Sequence, residues 1–378
     1  MGPELSSSPI KYLWLDCDPG HDDAIAILLA LYSPGLRLLV STQFQVHGNA
    51  SSYNTFLNAI RLLYAYGASD SIQVHQGASK PLLRPTRADP EIHGADGLGG
   101  VIGLPDAKNT TIRNRFAKSS LNAVQGLAEA TKKCILEGNK LYIIATGPLT
   151  NVALFSAVHP ELLSGVEEII FMGGGVGIGN RSAAAEFNIL CDPEAAQMVL
   201  NLEVPKVMIP LNVTHTAILT SELHSGLVES IDAAPVPAPT PLRSMLSSLV
   251  RYVPICLSYK PDPAEGSDVS FFAGSYRSTF GFTEGPPIHD ACCLAYLYNP
   301  GWFKSKRYRV DVELAGLHTA GETVVDVWGY VRTDDSWGAT GKNCIVTESM
   351  DVQGFFQLFF ECIKKCDKVS PLNTSTAV

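Results

Sequence analysis

Four aspartates, Asp16, Asp18, Asp22 and Asp23, fall within eight residues, directly after the short apolar run Lys11–Leu15. Carboxylates crowded this closely repel one another unless a cation or firm hydrogen bonds hold them. A helix N-terminus can stabilise one or two. Four point to a hard divalent ion that takes oxygen ligands, Ca²⁺ or Mg²⁺. Gly20 is the only glycine in this turn and no lysine accompanies it, so a P-loop or dinucleotide cradle is excluded. An Asp-x-Asp at a strand end also begins aspartate-nucleophile phosphatases, but Gly20 stands where that chemistry places Thr or Val. Far down the chain, His289-Asp290 precedes another apolar helix, and a histidine of ordinary pKa near ~6.5 suits proton transfer at neutral pH. His21 is read as a local turn contact. His47, His159, His215, His224 and His318 are read as structural.

These residues need a scaffold. Lys11–Leu15 reads as a strand and Ala24–Leu31 as an apolar helix that Ser33-Pro-Gly35 stops. Strand-like runs recur at 36–42, 72–74, 140–145, 166–172 and 204–211, with amphipathic helical runs at 54–67, 121–136 and 192–201 between them. Such alternation predicts an α/β fold: an open, mostly parallel central sheet flanked by helices on both faces. In sheets of this kind ligands bind outside the carboxyl ends of the strands, where the acidic turn lies. Residues 77–105 are rich in Pro and Gly and read as irregular. A second irregular stretch at about 215–288 reads as a lid over the site, because aromatics run through it, among them Tyr252, Tyr259, Phe271, Phe272, Tyr276 and Phe282. Alternation at 307–330 predicts a hairpin, and 352–365 a terminal helix. The domain reading is a flexible N-terminus over 1–10, one domain over 11–366 and a flexible tail over 367–378.

Only 17% of residues are charged and 46% are hydrophobic, in keeping with a large buried core. The net charge of -9 argues against a nucleic-acid surface, which needs a concentrated basic patch. Nine cysteines show no C-x-x-C spacing, which predicts a reducing compartment, cytoplasmic or nuclear. The first ten residues lack the features of a secretory signal, and no apolar run reaches the ~20 residues that span a bilayer.

Asp16-Cys-Asp-Pro-Gly-His-Asp-Asp-Ala24 closely resembles the signature of the inosine-uridine nucleoside hydrolase family. His47-Gly-Asn49, Ile92-His93-Gly94, Thr146-Gly-Pro-Leu-Thr-Asn-Val-Ala153, Met172-Gly-Gly-Gly175, Ala185-Glu-Phe-Asn188, Asp192-Pro-Glu-Ala-Ala196, His289-Asp290 and Lys342-Asn-Cys344 follow in the family's order, and the whole is similar to fungal members. The resemblance implies the Rossmann-like nucleoside hydrolase fold and Ca²⁺-dependent cleavage of the N-glycosidic bond of ribonucleosides, releasing ribose and a free base for salvage. It implies that Asp18, Asp23, the carbonyl of Thr146 and Asp290 bind Ca²⁺, and that Asp18 is the general base toward water. Asp22, Asn49, His93, Met172, Asn180, Glu186 and Asn188 match substrate contacts, Asn180 at the 5′ end of the ribose. Asp16 matches a residue behind the turn, and His289 a general acid near the leaving base. The transition state of such a reaction resembles an oxocarbenium ion, which nearby carboxylates favour.

Uridine is the expected base, then inosine. The resemblance further implies a homodimer or homotetramer acting on a small-molecule nucleoside, with no nucleic-acid or membrane partner. Two alternatives remain open: hydrolysis of another N-riboside such as nicotinamide riboside, or a catalytically impaired ribose- and calcium-binding relative. The second has a specific motive. Gln43-Phe-Gln45 separates Ser41-Thr42 from Val46-His-Gly-Asn49 by three residues more than the family pattern, an insertion expected to displace Asn49.

Overall fold

The computed structural model describes residues 9–43, 48–118, 121–228, 239–250 and 271–374. Ten strands are present among them: β1 (Lys11–Cys17), β2 (Leu36–Gln43), β3 (Gln73–Gln76), β4 (Leu141–Ala145), β5 (Val166–Met172), β6 (Lys206–Ile209), β7 (Phe303–Tyr308), β8 (Val310–Val312), β9 (Thr323–Val325) and β10 (Cys344–Met350). Eight form one sheet in the order β3-β2-β1-β4-β5-β6-β10-β7. Every neighbouring pair is parallel except β10–β7 at the edge. The expected mostly parallel sheet is therefore what forms. The hairpin expected near 307–330 is the antiparallel β8–β9 pair.

Two apolar layers cover the sheet, and the period-two alternation of the strands assigns side chains to them. Leu13, Leu15, Ile144, Ile170, Met172 and Ile209 face a core shared with the helices His21–Tyr32, Ala291–Tyr298 and Val352–Asp367. Trp14, Ile143, Ala145, Ile169, Phe171 and Met208 face the opposite core, shared with Ala123–Leu136, Thr150–Val158 and Pro193–Leu200. The helix starts are chemically set. Pro193 occupies the first turn of its helix and the Asp192 carboxylate accepts the N–H of Ala195. None of the eight described cysteines is in a disulfide, and all eight are buried. No helix of the described residues is long and apolar enough to cross a membrane.

Three expectations need correction. The 77–105 stretch is not wholly irregular, since Pro90–His93 forms a short helix that ends at Gly94, whose φ of 77° suits glycine. The 215–288 stretch contains the helices Ser221–Val228, Pro241–Val250 and Phe271–Phe280, while Tyr252 and Tyr259 lie outside the described residues. Residues 367–374 pack on the body of the fold. Asp367 pairs with Arg243 at 2.5 Å, and the Ser370 hydroxyl donates to the carbonyl of Ala65 at 2.6 Å.

Candidate active site

The chain leaves β1 at Cys17 and enters the next helix at His21, and this turn sits at the carboxyl end of the sheet. Hydrogen bonds from three other segments fix it. The N–H of Thr146, just beyond β4, donates to the carbonyl of Asp16 at 2.8 Å, and the Asn151 side chain donates to the Asp16 carboxylate at 3.2 Å. The Thr146 hydroxyl donates to Asp23 at 2.7 Å. The Asn49 side-chain amide donates to the carbonyl of Asp18 and to the Asp23 carboxylate, both at 3.0 Å, while its backbone N–H donates to the Asp18 carboxylate at 2.9 Å. Asn49 is thus on the acidic turn. Phe44 and Gln45 of the insertion lie outside the described residues. Gly48 and Gly20 permit this approach: a Cβ on Gly48 would meet an Asp18 carboxylate oxygen at 1.7 Å, and one on Gly20 would meet His93 at 2.4 Å.

One oxygen from each of Asp22, Asp23 and Asp290 lies within 4.8 Å of the other two, and all three residues are buried. Burial raises the pKa of all three, with repulsion from the neighbouring carboxylates adding to the rise for Asp22 and Asp290. One oxygen of Asp22 is buried with no hydrogen-bond partner among the described residues. An orphaned carboxylate oxygen beside two crowded carboxyls is the donor set of a hard divalent cation, so these residues fit a metal. Of the ligands expected from sequence, Asp23 and Asp290 belong to this trio. Its third member is Asp22, expected on the ribose, whereas Asp18 stands beside the trio and connects to it through Asn49. Burial and the neighbouring Asp23 also hold the Asp18 pKa well above that of a free carboxylate.

Next to the trio is a face of neutral amides and one glutamate. Glu186 is the N-cap of the Phe187–Cys191 helix. Its carboxylate accepts the N–H groups of Gly174 and Asn188 at 3.0 Å and of Ile189 at 3.2 Å, yet burial pushes its pKa up to about 7. The Asn188 amide donates to the carbonyl of Thr146 at 2.9 Å and to that of Met172 at 3.2 Å, tying the ends of β4 and β5 together. The Asn180 side-chain oxygen accepts the N–H of Phe187 at 2.9 Å.

The opposite wall is aromatic. Leu219 N–H donates to the carbonyl of Pro286 at 3.0 Å and Ile288 N–H to that of Ala217 at 2.9 Å, anchoring the segment that presents His289. The Tyr276 hydroxyl lies 2.9 Å from His289 Nε2, and the Thr214 hydroxyl 2.7 Å from His289 Nδ1. Burial, with His215 nearby, lowers the His289 pKa well below its ordinary value, so a free imidazole near ~6.5 is the wrong picture of this group. His93 stacks near His21 and Phe272, its pKa also lowered by burial. His21 is more than a turn contact. Its ring stacks on Phe272 with centroids 5.0 Å apart, and its Nε2 lies 3.1 Å from the Gly99 carbonyl.

Asp18, Asp22, Asn49, His93, Thr146, Met172, Asn180, Glu186, Asn188, His289 and Asp290 all line one cleft, with Asp23 hydrogen-bonded to Asn49 and Thr146 and Asp16 bonded to Asn151 behind it. The sequence reading omitted Asp89, Arg181, Phe187 and Phe280, which line the same cleft, and Thr214 behind His289. Tyr276, named in the sequence only as one of several aromatics over the site, offers a hydroxyl bonded to a histidine. Its spacing of four from Phe280, one helical turn, was the available signal.

The family model for inosine-uridine preferring nucleoside hydrolase matches residues 13–357. The chain is 38% identical over 352 residues to the pyrimidine-specific ribonucleoside hydrolase RihA of Shewanella woodyi, covering 93% of this chain and 97% of that one. It is 37% identical over 350 residues to RihA of Escherichia coli K12, with the same two coverages. Among solved structures, the purine-preferring ribonucleoside hydrolase from Gardnerella vaginalis superposes with a TM-score of 0.74 at 26% identity, over 95% of this chain and 100% of that one. The plant nucleoside hydrolase PpNRh1 superposes with a TM-score of 0.71 at 25% identity, over 96% and 100%. The chain belongs to the inosine-uridine preferring nucleoside hydrolase family, enzymes that hydrolyse the N-glycosidic bond of ribonucleosides.

Proposed function

We propose that this enzyme hydrolyses pyrimidine ribonucleosides, uridine first, with Ca²⁺ held at the acidic end of the cleft. The observation that carries the metal-dependent reading is the buried trio of Asp22, Asp23 and Asp290, in which one Asp22 carboxylate oxygen has no hydrogen-bond partner among the described residues. Asp23, Asp290, Asp18 and the Thr146 carbonyl are the proposed ligands, and the orphaned oxygen makes Asp22 a further one. Carboxylate and carbonyl oxygens favour Ca²⁺ over softer ions. When bound, the cation supplies charge that keeps these carboxyls ionised and makes a nearby water easier to deprotonate.

The chain's own groups then divide the remaining work. Asp18, buried beside Asp23 and kept ionised by the cation when it is bound, accepts the proton of the attacking water. Asn49, Asn180, Glu186 and Asn188 grip the ribose hydroxyls, with Met172 beside the sugar, and negative charge nearby favours the cationic sugar of the transition state. At the other end, a proton on His289 Nε2 passes along the 2.9 Å contact to the Tyr276 hydroxyl, which presents it to the departing base. Burial weakens the hold of His289 on that proton, making it a stronger acid once charged. The pyrimidine preference rests on the two RihA relatives, each named pyrimidine-specific and similar over 93% of the chain. A homo-oligomer acting in base salvage completes the reading.

Ribose release from uridine, cytidine, inosine and nicotinamide riboside, with and without a calcium chelator, tests it. Fastest release from uridine, lost on chelation and restored by Ca²⁺ alone, is the expected result. Chelation without effect overturns the metal assignment, and faster release from inosine or nicotinamide riboside overturns the base assignment. No release from any of them, with Ca²⁺ supplied, leaves a silent binding protein.

A further inference from the structure

Among the described residues lining the cleft, Arg181 is the one permanently cationic side chain, against the carboxyls of Asp18, Asp22, Asp89, Glu186 and Asp290. It is held from three directions. Its guanidinium pairs with Asp89, one residue before the short helix that carries His93. A second nitrogen donates to the carbonyl of Asn180 at 3.3 Å. The guanidinium carbon also sits over two rings of the cleft wall, 5.7 Å from the centroid of Phe187 and 5.3 Å from that of Phe280. One side chain thereby joins the turn bearing His93, the loop bearing Asn180 and Glu186, and the helix bearing Tyr276. Both partners of the pair are largely buried, at 20% and 10% side-chain exposure, so solvent screens it little.

We propose that the Arg181–Asp89 pair sets specificity at the 5′ end of the sugar, selecting substrates uncharged there. This inference rests on the nucleoside hydrolase reading, which places Asn180 at the 5′ end of the ribose. Arg181 follows Asn180 directly and lies within electrostatic reach of Glu186. An unpaired guanidinium at that position is a good phosphate receptor, with planar donors and a fixed charge. Asp89 reduces that capacity by pairing with one guanidinium nitrogen and offsetting the charge, while the carbonyl of Asn180 takes a second nitrogen. A 5′-phosphate beside the pair then meets carboxylates with no unpaired Arg or Lys among the described residues lining the cleft, and like-charge juxtaposition is the discriminating element. Arg181 also lies over the rings of Phe187 and Phe280 in the cleft wall.

The test compares kcat/KM for uridine 5′-monophosphate with kcat/KM for uridine, in the wild-type enzyme, Asp89→Asn, Arg181→Met and the double variant. In Asp89→Asn the ratio should rise at least about tenfold, since the charge of one contact to a phosphate is freed. In the double variant it should return to the wild-type value or below, because the freed cation is gone. An unchanged ratio in Asp89→Asn, or an equal rise in the double variant, overturns the proposal. General loosening of the cleft would move both substrates together and leave the ratio flat. A second measurement covers poor folding of Asp89→Asn: inhibition of the wild-type enzyme and of Arg181→Met by ribose and by ribose 5-phosphate. Arg181→Met leaves Asp89 uncompensated, so ribose 5-phosphate should weaken relative to ribose, and an unchanged or stronger relative inhibition overturns the proposal. Wild-type hydrolysis of uridine is read in the same assay. Its absence sinks the nucleoside hydrolase reading itself, a result separate from a flat ratio in an active enzyme.

Discussion

The two ends of the cleft are built in different ways. The acidic end hangs on the carboxyl termini of β1, β2, β4 and β5 and is cross-linked by short hydrogen bonds among Asp16, Asp18, Asp23, Asn49, Thr146 and Asn188. The aromatic end is assembled outside the eight-stranded sheet, from Pro90–His93, Phe271–Phe280 and the segment before Ala291–Tyr298, which one antiparallel bridge between Ile218 and Pro287 anchors. Apart from the hydrogen bonds of His289 to Tyr276 and Thr214, its members meet largely through ring contacts, such as Phe272 with Tyr276 at 4.9 Å and His93 with Phe272 at 5.5 Å. Sheet termini hold atoms to a fraction of an ångström because each strand is fixed by its neighbours on both sides. Ring contacts tolerate sliding. Chemistry that must be the same for every nucleoside belongs at the first end, and discrimination between bases at the second.

The comparison is broken most directly at the acidic end. Asp18→Asn keeps the shape of the side chain and removes its capacity to take a proton, so kcat for every nucleoside should fall by about 10³-fold or more. The loss should be the same for uridine and inosine, because the proposed reaction places the base at the other end. Steady-state kinetics on both substrates checks it, and a loss confined to one base would show that the two ends are not separate. Removing the divalent ion should act in the same base-independent way.

At the aromatic end, Tyr276→Phe deletes only the hydroxyl bonded to His289. Proton delivery to the leaving base should weaken by about 10²-fold in kcat, and by a factor that differs between uridine and inosine, since the two bases need a proton at different atoms. A substrate with a leaving group that needs no proton, p-nitrophenyl riboside, should be nearly unaffected. Equal loss on that substrate would assign Tyr276 to shaping the cleft rather than to moving a proton.

This division also governs what was legible in the sequence. The acidic turn is local, eight residues that announce themselves by type, and the strand that feeds it was readable from apolar spacing to within two residues of its end. The sheet followed for the same reason, since buried parallel strands are continuous apolar runs. The aromatic end was not readable. Arg181 and Asp89 are 92 residues apart and each is unremarkable alone. The ionic state of His289 was missed because burial, which sequence does not show, decides it. The sequence match of Asp22 to a ribose contact carries no sign of its proximity to Asp290, which a segment more than two hundred residues away delivers.

The smallest effect expected from the comparison is one of stability, and it also separates the ends. Burial raises the pKa of Asp22 well above that of a free carboxyl and pushes that of Glu186 up to about 7, against values near ~4 in an unfolded chain. Between those values the folded, ion-free protein holds protons that the unfolded chain has released. The carboxyl contribution to stability is therefore greatest below the unfolded pKa and falls as pH rises through the folded one. The buried His21, His93 and His289, whose pKa burial lowers, work the opposite way below the ordinary histidine value of ~6.5, so the carboxyl contribution is read as the difference in melting temperature between the chelated wild-type enzyme and Asp22→Asn, which should shrink by a few degrees between pH 5.5 and 7.5. Ca²⁺ should raise the wild-type melting temperature more at pH 7.5 than at 5.5, because at the lower pH the ion must displace protons from the carboxyls it binds. Tyr276→Phe, at the aromatic end, should keep the wild-type dependence on pH. Thermal melts of both proteins across that range decide the matter, and a wild-type advantage over Asp22→Asn that grows with pH in the chelated protein would mean that the acidic end does not hold protons when the ion is gone.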